Sequence, residues 1–146
     1  MALNIEKFAQ EAHQFLNQLA EETGRDKGYA SRVLQSTLHI LRGHISPEES
    51  LHFIAQLPLF LKGLYVEGWN MNEDLDRIKT FDEYVEQIME EGSRVPGNEL
   101  GGKENVKKDV LIVFRLLDQY VSKGEWKDVG ANMPPAIREA ILEVVE

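Results

Sequence analysis

Gly97-Asn98-Glu99-Leu100-Gly101-Gly102-Lys103-Glu104 spaces a glycine, four residues and a Gly-Lys pair just ahead of a helical pattern, the arrangement with which a P-loop cradles phosphates. Three features are wrong for that role. No strand pattern precedes Gly97, no Ser or Thr follows the lysine to hold magnesium, and the carboxylate of Glu104 would repel the phosphates. The segment reads as an inter-helix loop. His13, His39, His44 and His52 are the only imidazoles, and no two are three or four residues apart, the spacing that puts two ligands on one helix face. Glu48 and His52 share a face at i, i+4, a common solvated contact. Neither a metal nor a cofactor is expected. Asp82, Glu86 and Glu90 form an acidic face, but on the solvent side of an amphipathic helix, where burial cannot separate their pKa values for acid–base work. No serine lies in a Gly-x-Ser-x-Gly elbow, and the absence of cysteine removes thiolate catalysis, disulfides and sulfur-ligated zinc. No catalytic residue is assigned, and the pattern favours a non-catalytic protein.

The elements that carry these groups are all helical. Ile5, Phe8, Ala12, Phe15 and Leu19 make one stripe of a helix of 3.6 residues per turn, stopped by Thr23-Gly24. Tyr29, Val33, Thr37, Ile40 and Leu41, widened by Ala30, Leu34 and Leu38, predict a second helix buried on more than one side and ending at Gly43. Ser46-Pro47-Glu48-Glu49 reads as a capping box: serine at the N-cap, proline at the first helical position, glutamate at the third. Leu51, Phe53, Ile54 and Leu57 follow, until Pro58 kinks or restarts the chain into a helix bearing Leu61, Leu64 and Tyr65. After a polar connector over 70–79, Thr80 to Glu83 is another capping box, heading a helix with Phe81, Tyr84, Val85 and Ile88 that ends at Gly92. Val106, Val110, Val113, Phe114 and Leu117 predict a strongly buried helix, Ser122 to Glu125 caps the next, and Pro134-Pro135 opens the last.

The second half repeats the first. Val33 to Val66 align with Asp109 to Leu142 at an offset of 76 without a gap, pairing Leu41 with Leu117, Ser46 with Ser122, Glu49 with Glu125, Ala55 with Ala131 and Pro58 with Pro134. Upstream, Phe15 to Glu22 match Tyr84 to Glu91 at an offset of 69, which assigns seven extra residues to the Ser93 to Gly102 loop. The expectation is one all-α domain over 1–146 made of two pseudo-repeats of three to four helices, about 4–69 and about 80–146, each covering the apolar face of the other.

The stretch Ser36-Thr-Leu-His-Ile-Leu-Arg-Gly-His-Ile-Ser-Pro-Glu-Glu-Ser50, with Ala55-Gln-Leu-Pro58, Lys62-Gly-Leu-Tyr65 and Gly68-Trp69, closely resembles the bacterial family catalogued as domain of unknown function 2267. The resemblance runs from about Phe15 to about Leu142, with Asn132-Met-Pro134 in the second copy where the first has Gln56-Leu-Pro58. It implies an all-helical fold and no activity. The pattern positions it marks include Arg42, Gln56, Tyr65 and Trp69. It also implies arginine more often at position 62, where Lys62 here offers an anion a point charge instead of a fork.

Composition sets the outer limits. With 16 Lys plus Arg against 25 Asp plus Glu, the net charge of −9 disfavours nucleic acid, whose phosphates reward clustered basic side chains. No run of 18 apolar residues suggests a membrane span, and the N-terminus lacks the pattern of a signal peptide, so a cytoplasmic protein is expected. The leading functional reading is a helical module for protein–protein interaction or self-association, through a groove around Phe60, Tyr65 and Trp69 with Arg42, Gln56 and Lys62 as its polar members. The alternative is a small-molecule or lipid pocket between the repeats, lined from Leu57, Phe60, Tyr65 and Met133.

Overall fold

A computed structural model describes residues 4–97 and 99–145; Asn98 of the glycine-rich loop and the ends of the 1–146 span lie outside the described residues. Among the described residues there are eight helices and no strand: α1 (Ile5–Thr23), α2 (Lys27–His44), α3 (Pro47–Ala55), α4 (Leu59–Val66), α5 (Phe81–Gly92), α6 (Lys103–Leu117), α7 (Lys123–Ala131) and α8 (Pro135–Val144). None is long and apolar enough to cross a membrane.

The helices begin where short polar side chains can replace missing backbone partners. Asn4, Asp26, Ser46, Thr80 and Ser122 each accept a hydrogen bond from the backbone N–H three residues on. Pro58 and Pro134 take the N-cap position of α4 and α8, so Pro58 restarts the chain instead of kinking one helix. Gly24 ends α1 in the left-handed conformation, φ 72°. One predicted stop is corrected: α2 runs past Gly43 to His44. The glycine is used for packing, because a Cβ at Gly43 would stand 2.3 Å from Leu75 Cδ1, where the connector crosses α2. With the offset of 76, both bounds of α3 reappear at α7 and the start of α4 at that of α8, which runs two residues further.

α2 packs against α1, α4, α5 and α6, while α6 also meets α1, α5 and α8. This central position explains the wide apolar face of α2, whose Ala30, Val33, Leu34, Leu38 and Leu41 are all buried. A line of aromatic rings runs through the core from Tyr84 to Phe114, Trp126, Phe53, Tyr65 and Trp69, with successive centroids 5.6–6.4 Å apart and tilted or edge-on, the arrangement that ring quadrupoles favour. Two pairs of buried polar groups inside this core join neighbouring helices. The Tyr29 hydroxyl donates to Asp109 Oδ2 at 2.5 Å, joining α2 to α6, and the Ser50 and Tyr65 hydroxyls meet at 2.6 Å, joining α3 to α4. Trp126 Nε1 donates to Asp118 Oδ1 at 2.9 Å.

Candidate functional site

Of the six residues expected to share one groove, Arg42 and Trp69 line one cleft, Phe60 lines another, and Tyr65 lies beneath the surface. Tyr65 is fully buried and holds Ser50, so it presents no surface to a partner. Trp69 is half-buried with its ring edge-on to Tyr65 at 5.8 Å. Arg42 Nη1 donates to the carbonyls of Tyr65 at 2.6 Å and Glu67 at 2.7 Å, and His39 Nε2 donates to that of Leu64 at 2.8 Å, so α2 supplies the donors that the last turn of α4 lacks. Burial lowers the His39 pKa, which suits a neutral ring in that role. Lys62 is half-buried on α4. Leu57 and Met133, expected in a pocket between the repeats, are packed in the core with Tyr65.

Phe60 lies apart from these. It packs edge-on to Phe15 of α1 at 5.7 Å and lines an apolar groove of about 340 Å³ between α1, α2 and α4, together with Leu16, Leu34, Leu59 and Leu64. Leu59, Gly63 and Val66 follow one another along the outer face of α4, with Leu59 52% and Val66 44% exposed. An added Cβ at Gly63 would meet nothing within 4 Å, so the groove has a notch where another backbone can approach closely.

The glycine-rich loop leads into α6, and Lys103 lies close to Asp82 and Glu86 on α5, at 3.9 and 3.4 Å, while Lys107 pairs with Asp82 at 2.7 Å. The acidic face of α5 therefore answers the lysines of α6.

The most unusual chemistry lies where α3 meets α7. A capping box requires the third-position glutamate to reach back to the N-cap backbone N–H, and Glu83 does this for Thr80 at 3.0 Å. At the starts of α3 and α7 that donor is taken instead by an amide from the other half of the chain. Ser46 N donates to Asn132 Oδ1 at 3.0 Å, and Ser122 N donates to Gln56 Oε1 at 2.7 Å. Gln56 and Asn132, each the C-cap of its own helix, thus complete the start of the opposite one.

The arrangement releases Glu49 and Glu125 from capping, and both side chains turn into the α3–α7 junction. Glu125 is only 6% exposed, and Glu49 Oε2 and Glu125 Oε2 are buried and accept from no N–H or hydroxyl donor of the described residues. His52 is the third member: its Nδ1 lies 3.8 Å from Glu49 Oε2, and ligating atoms of Glu49, His52 and Glu125 all fall within 4.8 Å of one another. The imidazole therefore pairs with Glu49, three residues before it, in place of the expected Glu48. Burial, then the hydrogen bond and charge of Glu49 and the charge of Asp128, push the Glu125 pKa up to about 8. Burial beside a second carboxyl thus favours the protonated form of Glu125. The site can hold a proton or a cation between the two halves of the chain. Sequence reasoning read both glutamates as caps; their alignment with each other, and that of Gln56 with Asn132, was the available signal.

Residues 12–140 match the model of a family described as an uncharacterized conserved protein, DUF2267. No curated protein matches the chain.

Proposed function

Because this chain belongs to DUF2267, a family whose description gives no activity, we propose its role from geometry: a non-catalytic cytoplasmic module of two helical pseudo-repeats that binds a protein segment through the α1/α2/α4 groove. The carrying observation is the outward row of Leu59, Gly63 and Val66 beside the apolar floor formed by Leu16, Leu34 and Phe60. A groove floored by leucine and phenylalanine and open over a glycine matches the apolar face of an amphipathic helix, which inserts side chains at i, i+3, i+4 and i+7. Self-association is the version in which a second copy supplies that helix. The reading keeps Phe60 from the expected groove, replaces Tyr65 and Trp69 with Leu59 and Val66, and assigns Arg42 and Gln56 to holding the fold.

Gly63→Leu tests it, since Gly63 has ordinary helical φ and open space around it, so leucine fills the notch without straining the backbone. Helix propensity favours leucine over glycine, so the variant should melt no lower than the wild type. A photo-crosslinking residue at position 59 should give a discrete protein adduct in cells, absent for the same probe at exposed Val95 and lost on adding Gly63→Leu. Equal labelling from positions 59 and 95, or adducts that survive Gly63→Leu, would refute the reading.

A further inference from the structure

We propose that Glu49, His52 and Glu125 form a site for one divalent cation of the zinc type, held between α3 and α7. The site is separate from the α4 groove. Its ligand set is one imidazole and two carboxylates, donors that suit zinc and leave a position open for water. Glu49 and His52 are three residues apart on α3, which puts them on one face, and Glu125 comes from the facing helix. A site shared by two helices in this way is a recurrent construction in helical proteins.

A cluster of acids is common without a metal; the buried, unpaired oxygens here point further. Glu125 is 6% exposed, and its Oε2, like Glu49 Oε2, is aimed into the cluster without a donor from any described residue. Buried carboxylate oxygens require a compensating proton or cation. A tetrahedral ion with bonds of about 2.0 Å needs its ligands about 3.3 Å apart, so ligand atoms lying within 4.8 Å require only small movements. His52 can supply them: its side chain is 59% exposed, which leaves it free to rotate and opens the cluster to solvent. Asp128, one turn after Glu125 as His52 is one turn after Glu49, adds a negative charge that favours the cation. The ion would neutralise two carboxylates and cross-link the helices whose starts are already tied together by Gln56 and Asn132.

A cation competes with protons for carboxylate and imidazole ligands, so affinity rises with pH. The titratable groups that govern this are Glu49 and His52 from α3, Glu125 and Asp128 from α7, and the Tyr65 phenol from α4. The phenol is engaged by Ser50 and does not titrate in the relevant range.

The test is calorimetric titration of the chelator-stripped full chain with zinc chloride at neutral pH, with His52→Ala and Glu125→Gln alongside. His52 is exposed, so His52→Ala leaves folding intact even if Glu125→Gln does not; circular dichroism checks both, and His13→Ala controls for adventitious imidazole binding. One ion should bind per chain with release of a proton, each of the two site variants should weaken binding by at least about tenfold, and His13→Ala should leave it unchanged. Absence of saturable binding, binding of several ions with equal weakness, or undiminished affinity in either site variant would overturn the assignment.

Discussion

Replacing Glu125 with glutamine removes one of the two ionisable carboxyls of the α3–α7 pair while keeping its shape, and the structure gives the sign of the result. In the folded chain the Glu125 carboxyl is raised from its ordinary 4.5 to about 8, chiefly by burial. Between those values the folded protein retains a proton that the unfolded chain has given up, so stability from this group is complete at low pH and is lost as pH rises toward 8. Each unit of separation is worth about 1.4 kcal/mol, which sets a ceiling of about 4 to 5 kcal/mol for the group. Water reaching the cluster along exposed His52, and movement of Glu49, reduce this to the order of 2 kcal/mol. Glutamine cannot ionise, and its amide can donate to the carboxylate of Glu49 as the protonated acid does. Thermal melts of both proteins by far-UV circular dichroism, with chelator present, should therefore nearly coincide near about pH 5 and separate near about pH 8.5, with Glu125→Gln melting higher by roughly 4 to 8 °C. Asp109 is also shifted upward by burial, but it is present in both proteins and cancels from the difference. A Glu125→Gln protein that is less stable than the wild type by the same amount at every pH would refute the reasoning.

Two further substitutions test the packing. Tyr29→Phe deletes the donor to Asp109, whose side chain is 6% exposed, and should cost about 1 to 3 kcal/mol in urea denaturation with an unchanged slope; a loss below about 0.5 kcal/mol would show that water replaces the hydroxyl. Trp69→Ala removes the last ring of the aromatic line and should lower the melting temperature by several degrees, whereas melting with the wild type would show that the contact with Tyr65 contributes nothing.

Helix starts were legible because capping is local: Asn4, Asp26, Ser46, Thr80 and Ser122 each act on a donor three residues away. The same locality misled at Glu49 and Glu125. The donors they were expected to satisfy are taken by amides 86 and 66 residues distant in sequence, and no local rule contains that information. Gly43 is similar, since its reason for being glycine is Leu75, far along the chain. The groove is a different case. Phe60, Tyr65 and Trp69 were grouped by nearness along the chain, yet five residues of helix separate Phe60 from Tyr65 by about 140° around the axis. The helical period would have separated Leu61 and Tyr65, which face inward, from Leu59, Gly63 and Val66, which face out.

The exchanged amides of Gln56 and Asn132 also bear on the order in which the chain folds. Neither Ser46 nor Ser122 obtains its backbone acceptor until the opposite half has arrived, so α3 and α7 start their first turns with an unpaid donor and depend on closing loops of 86 and 66 residues. Such contacts reward folding only after the cost of closure has been met, which puts the junction among the last parts to consolidate. Interactions that form late act mainly on the rate of unfolding. The seam between α3 and α7 thus acts as a latch on the finished protein, controlling how long it stays folded more than how quickly it forms.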